Sequence, residues 1–262
     1  MKISANGIEM RYELSGTGPC LVLIHGFTDN ADLWYRQVPA FAQHYQVLTY
    51  DVRGFGETGM GDGYSFPVLS EDLLALLQSL HIPKASLLGF SMGGRIALEF
   101  AATHPDMTAG LILANSSLGG HPNPEMQARL DRIAVAMQKG DNAEIAEMMV
   151  ALSVSEGFKE KDPEAYQRFK ELKLRNDPAP YLKIMQALFS DFDGTDKLGL
   201  VACPTLIIAG QEDPLMERSE AAAITSGIAD ATLETLPTGH AAAIEMPEEF
   251  NRTVLDFLKR IF

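Results

Sequence analysis

Leu87-Leu88-Gly89-Phe90-Ser91-Met92-Gly93-Gly94-Arg95-Ile96-Ala97-Leu98 decides how this 262-residue chain is read. The apolar run from Ala85 to Leu88 has the length and composition of a buried strand, and Arg95 to Ala102 reads as helix. Between them sits Gly89-x-Ser91-x-Gly93. A serine on so sharp a strand-to-helix turn is held in strained backbone geometry, with its hydroxyl presented above the sheet edge. Glycines flank it because the chain passes too close for a Cβ. Gly and Ser are common in loops, so the pentapeptide alone also suits a plain turn. Its position between a strand and a helix is what points to a nucleophile.

Working outward, Asn6-Gly7 between Ile3 and Ile8 predicts a hairpin with a type I′ turn. Cys20 to Ile24 is a continuous apolar run, as a strand covered on both faces requires, and it ends in His25-Gly26-Phe27. Helix is expected over Trp34 to His44, strand over Gln46 to Tyr50, and a helix capped by Ser70 running to Leu80. After the Ser91 turn come a strand at Ala109 to Ala114, a strand at Pro204 to Ala209, a helix from Glu217 to about Ile228, a strand at Ala231 to Leu236 and a helix from Pro247 to Ile261. Strands alternating with helices give βαβ units and a doubly wound, mostly parallel sheet. From Gly119 to about Ser190 the pattern breaks into helix after helix, punctuated by Pro122, Pro124, Pro163, Pro178 and Pro180. The expected organisation is a core of residues 1–119 and 191–262, with residues 120–190 inserted as a helical cap or lid on the side where strand ends carry function.

Net charge is -14 and the sequence pI about 4.8. Nucleic acid and anionic membrane surfaces would be repelled, so neither is expected as a partner. The charge is uneven: residues 120–190 carry 10 Lys+Arg against 11 Asp+Glu, the remainder 11 against 24. Two cysteines, Cys20 and Cys203, sit at the edges of apolar runs and read as buried free thiols. Met1 to Gly7 has no apolar h-region, and no stretch reaches the ~18 apolar residues of a membrane span, which predicts a cytoplasmic protein.

An exposed serine needs a base to take its proton and a third group to orient that base. His240 follows the last strand in Pro237-Thr238-Gly239-His240, at the sheet edge that carries Ser91. His44, His81 and His104 lie in or next to helices, where solvated or capping roles suit them. His25, beside the same edge, suits bracing the loop it starts better than serving as base, with a substrate contact also open to it, and His121 opens the insertion where a substrate contact is open to it. For the acid, Gly210-Gln211-Glu212-Asp213-Pro214 ends the Thr205–Ala209 strand. Glu212 competes with Asp213, and the bend imposed by Pro214 favours Asp213. The backbone amide of Met92 and that of Phe27, in the loop after an earlier strand, are placed to meet the charge that builds on a carbonyl oxygen under attack.

His25-Gly26-Phe27, Asp51-x-Arg53-Gly54-x-Gly56, Gly89-Phe90-Ser91-Met92-Gly93-Gly94, Gly210-x-x-Asp213 and Gly239-His240 with Glu245-x-Pro247 together resemble the α/β-hydrolase superfamily. Within it the chain is similar to small cytoplasmic carboxylesterases and to 3-oxoadipate enol-lactonase-like hydrolases. The resemblance covers nearly everything outside residues 120–190. It implies the eight-stranded α/β-hydrolase fold, Ser91, Asp213 and His240 as triad, Phe27 and Met92 as oxyanion donors, and Asp51 to Gly56 as a structural turn. Haloalkane dehalogenases and epoxide hydrolases of this fold carry Asp where this chain has Ser91, which counts against both. Ser-Met-Gly-Gly-Arg95 is also similar to the pyruvate-eliminating lyase of menaquinone synthesis, where Arg95 would hold a carboxylate; a helix-surface ion pair is the plainer role.

Hydrolysis of a carboxylic ester or lactone through an acyl-serine is therefore the expected activity, on a small-molecule substrate and with no metal or organic cofactor. Carbon–carbon bond hydrolysis or pyruvate elimination on the same triad is the alternative, and a ligand receptor on a hydrolase scaffold a more distant one. Lid methionines, among them Met126, Met137, Met148, Met149 and Met185, would make a flexible wall over the pocket. A homodimer is left open.

Overall fold

The computed structural model describes residues 1–119, 124–190 and 193–262, with the backbone alone for residues 187–190. Eight strands form one sheet: β1 (Lys2–Ala5), β2 (Ile8–Ser15), β3 (Cys20–Ile24), β4 (Gln46–Tyr50), β5 (Ala85–Phe90), β6 (Thr108–Ala114), β7 (Thr205–Gly210) and β8 (Ala231–Leu236). The order across it is β1-β2-β4-β3-β5-β6-β7-β8. The β1–β2 and β2–β4 pairs are antiparallel and all the others parallel. Asn6 and Gly7 take φ of 45° and 75°, the pair of positive values a type I′ hairpin needs.

The helices are α1 (Val38–Phe41), α2 (Phe66–Ser79), α3 (Met92–Thr103), α4 (Pro124–Lys139), α5 (Asn142–Ser153), α6 (Phe158–Lys161), α7 (Pro163–Leu174), α8 (Tyr181–Ser190), α9 (Arg218–Gly227), α10 (Ala242–Glu245) and α11 (Pro247–Leu258). Three expected boundaries shift, the simplest being the C-terminal helix, which ends at Leu258 rather than Ile261. Helix α2 starts a turn before Ser70, because Ser65 accepts from the Val68 amide and Pro67 suits the first turn. The expected Trp34–His44 helix is a 3₁₀ turn at Ala31–Trp34 followed by the single turn α1, with Pro39 in its opening positions. Cys20 and Cys203 are buried free thiols.

Every residue of β3, β5 and β7 is buried. Successive side chains point to opposite faces, so Val22, Ile24, Leu87 and Leu113 join one core, while Leu21, Leu23, Leu88 and Ile112 join the other. This double coverage explains the unbroken apolar runs. In these three strands it leaves the ends, where the chain turns into loops, as the positions open to chemistry. Helices α4 to α8 lie between β6 and β7, and the segment leaves and rejoins the sheet at one place: Gly119 bridges Asp193 and the Gly194 amide donates to Leu118 O at 2.8 Å. Among the described residues no helix is long and apolar enough to cross a membrane.

Candidate active site

Strand β5 ends at Phe90 and α3 begins at Met92, so Ser91 alone makes the turn, at φ 53° and ψ -117°. This backbone region is one that L-residues avoid. Close packing enforces it: a Cβ on Gly89 would come within 2.2 Å of Gly93 O, and one on Gly93 within 2.2 Å of Ile24 O. The β6 end holds the turn from the side, as the Ser91 amide donates to Ala114 O at 3.0 Å and Ser116 Oγ to Ser91 O at 2.8 Å.

His240 lies beyond β8 and Asp213 beyond β7, and the structure brings them together. His240 Nδ1 stands 3.0 and 2.9 Å from the two Asp213 oxygens. Asp213 Oδ1 also accepts the amides of Leu215 and Met216, and Oδ2 accepts Asn115 Nδ2 at 3.0 Å. A carboxylate so saturated with donors is an acceptor, so Nδ1 carries the hydrogen and Nε2 the lone pair. His240 Nε2 is buried and has no hydrogen-bond partner among the described residues. Glu212, the competitor for the acid role, is exposed.

Both flanks of His240 are tied to α5 and its C-terminal turn. The Gly239 amide donates to Glu245 Oε1 at 2.9 Å, and Glu245 Oε2 accepts the amide and the hydroxyl of Ser155. On the other side the Ala241 amide donates to Ser153 O at 2.7 Å. The Phe27 loop is tied to α7 in the same manner. Lys173 Nζ donates to Asp29 Oδ1 at 2.6 Å and to Thr28 Oγ1 at 3.2 Å, with both charged side chains 2% exposed. Asn176 donates to Thr28 O, and Asn30 to Leu172 O. Burial lowers the Lys173 pKa, and Asp29 opposes that shift.

Ser91, His240, Phe27 and Met92 line one cavity of about 380 Å³. The amides of Phe27 and Met92 donate to no partner among the described residues. Met126, Met149 and Met185 line this cavity from the helical segment, whereas Met137 and Met148 do not: Met137 is buried in the apolar core and Met148 half-buried against it.

The family model for the alpha/beta hydrolase fold matches residues 19–247. The chain belongs to this family. Among its relatives, 3-oxoadipate enol-lactonase 2 of Acinetobacter baylyi is 28% identical over 98% of this chain and 96% of its own length. An enol-lactonase from Burkholderia xenovorans superposes with a TM-score of 0.90 at 26% identity, over 99% of this chain and all of that one. A thermophilic esterase from Thermogutta terrifontis reaches a TM-score of 0.90 at 28% identity, over 100% of this chain and 98% of its own.

The other residues expected near substrate in this α/β hydrolase fall out differently. His25 does not line the cavity: its Nδ1 donates to Gly26 O at 2.8 Å and its Nε2 accepts the Val52 amide at 2.9 Å. With both nitrogens used and burial pushing its pKa down, it braces the loop. His121 lies outside the described residues. Arg95 does line the cavity and is 8% exposed, so it is no helix-surface residue. Burial lowers its pKa to about 10, with Glu220 acting the other way. Asp51 accepts the amides of Ala31 and Glu57, and Arg53 pairs with Asp72 at 2.6 Å, which makes their motif a buried brace. Lys173, Asn115 and Glu220 sit in no motif that would mark them in the sequence, and Glu245 is marked there only by Glu-x-Pro.

Proposed function

We propose that this α/β hydrolase cleaves a carboxylic ester or lactone through an acyl-serine, with Ser91, His240 and Asp213 as triad. The observation that carries this reading is His240, fixed by Asp213 at Nδ1, with Nε2 unpartnered among the described residues and the residue lining the cavity that Ser91 also lines. Nε2 takes the Ser91 proton as Oγ attacks the carbonyl carbon. The amides of Phe27 and Met92 receive the oxyanion, each such donor contributing about 10²–10³ in turnover. His240 then returns the proton to the leaving alkoxide as the C–O bond breaks. Water, deprotonated by the same Nε2, attacks the acyl carbon, the bond from that carbon to Ser91 Oγ breaks, and Nε2 returns its proton to Oγ. Asp213 keeps the imidazole in the required tautomer and offsets its transient charge.

The enol-lactonase and esterase names of relatives aligned along the whole chain support the ester and lactone class. We assign residues 120–190 as a lid, on the ground that α4, α5, α7 and α8 supply Met126, Met149, Lys173 and Met185 to the cavity wall. A fluorophosphonate probe and para-nitrophenyl esters of graded chain length test the proposal. Labelling and turnover that both disappear in Ser91→Ala are expected. A folded wild-type chain that neither reacts with the probe nor turns over any ester or lactone would end it.

A further inference from the structure

The cavity beside Ser91 carries two opposite charges that hydrolysis itself does not use. Arg95 follows the nucleophile by one turn of α3. Its Nε and Nη2 donate to the carbonyl and hydroxyl oxygens of Ser117 at 3.2 and 2.5 Å. The next residue, Leu118, donates its amide at 2.6 Å to Oε1 of Glu220, in the first turn of α9. Consecutive residues of the loop after β6 thus hold a guanidinium and a carboxylate, and both side chains line the one cavity. Each charge favours the ionised form of the other, against the desolvation that disfavours both.

The remaining charges on this wall leave no surplus of positive potential. Asp29 and Lys173 compensate one another at 2.6 Å. Glu217 is exposed and lines the same cavity. With His240 neutral, the described wall carries three carboxylates against two cations. A carboxylate on the substrate would lose its water and find Lys173 already paired with Asp29 and Arg95 sharing its wall with Glu220. An uncharged group with hydrogen-bonding oxygens loses far less, and it gains apolar contact with Met126, Ile133, Met149 and Leu152.

Resting on the ester-hydrolase reading above, we propose that Glu220 is a specificity-determining residue: by compensating Arg95 it makes the cavity select uncharged esters and lactones over those that carry a carboxylate. Three esters with one leaving group test this: para-nitrophenyl hexanoate, methyl para-nitrophenyl adipate, and the free-acid para-nitrophenyl monoester of adipic acid, assayed at about pH 8, where the last is an anion. The wild-type chain hydrolyses the two neutral esters with kcat/KM at least about tenfold above that of the anion. Glu220→Gln, whose amide oxygen still accepts from Leu118, moves that ratio at least about tenfold towards the anion. Adding Arg95→Gln takes the gain away. Should Glu220→Gln fail to fold, Glu217→Gln shifts the ratio the same way by a smaller factor. A wild-type chain indifferent to the charge, or a ratio unmoved by Glu220→Gln, overturns the proposal.

Calorimetry on the Ser91→Ala chain repeats the comparison without turnover, using dimethyl adipate and monomethyl adipate. Binding of the diester alone, with the monoanion admitted once Glu220→Gln is added, upholds selection by charge even if no ester is hydrolysed. In that event it is the hydrolase reading that fails. Binding of the monoanion to Ser91→Ala as tight as that of the diester overturns selection by charge, whatever the enzyme hydrolyses.

Discussion

His240 Nδ1 lies 2.9 Å from Asp213 Oδ2, while the Leu215 and Met216 amides occupy Asp213 Oδ1. Asp213→Asn cannot satisfy both sets of partners. Its oxygen must stay with the two amides, which turns its NH₂ towards His240. The imidazole then carries its hydrogen on Nε2 and cannot accept a proton from Ser91. We expect kcat for a para-nitrophenyl ester to fall about 10⁴-fold with the fold intact, as steady-state kinetics and circular dichroism would establish.

Ser91 holds a positive φ that glycine adopts without penalty. Ser91→Gly is therefore expected to raise stability by about 1 kcal/mol while abolishing turnover. In thermal unfolding this is a gain of about 2–4 °C over Ser91→Ala, which keeps the Cβ and the strain. Equal melting temperatures for the two variants would show that the turn is unstrained.

Lys173 and Asp29 are a buried pair, so removing one charge strands the other. Lys173→Met should lose about 3–5 kcal/mol in urea unfolding. Adding Asp29→Asn removes the stranded charge and should recover part of that loss. A Lys173→Met loss no larger than that of an exposed lysine would contradict the pairing.

Glu245 links pH to the His240 loop. Burial raises its pKa above the ordinary 4.5, so the folded chain takes up this proton at a higher pH than the unfolded chain does. Between the two values the folded state binds more protons, and the contribution of Glu245 to stability declines as pH rises. Function runs the other way. Only the ionised carboxylate accepts Gly239 and both Ser155 donors together. Activity should fall on acidification through this range. Glu245→Gln should lower kcat about tenfold near neutral pH by loosening the loop, and it should remove that acidic component from the pH–rate profile.

The central strands and the Ser91 turn were legible because each is dictated locally. Strands covered on both faces must be apolar throughout, and a turn closed to within 2.2 Å of neighbouring carbonyls must have glycine at Gly89 and Gly93. Glu212 and Asp213 could be separated only by a proline bend and a family pattern, whereas the structure separates them by burial. Lys173 was illegible for a different reason. One of several lysines on amphipathic helices, it is buried only because that face of α7 lies over the Phe27 loop. His25 stood beside the right loop, yet which way its ring nitrogens turned depends on Val52, 27 residues away.

The helical segment grips the sheet at two loops that line the cavity: through Ser153 and Ser155 on either side of His240, and through Lys173 and Asn176 at Thr28 and Asp29. A chimaera that receives this segment from a relative therefore imports the seating of the proposed base, His240, and of the proposed oxyanion donor Phe27 along with a new pocket wall. Recombination that keeps residues 153–155 and 172–176 native would exchange specificity alone. Crossovers placed inside those stretches would change turnover number and substrate range together.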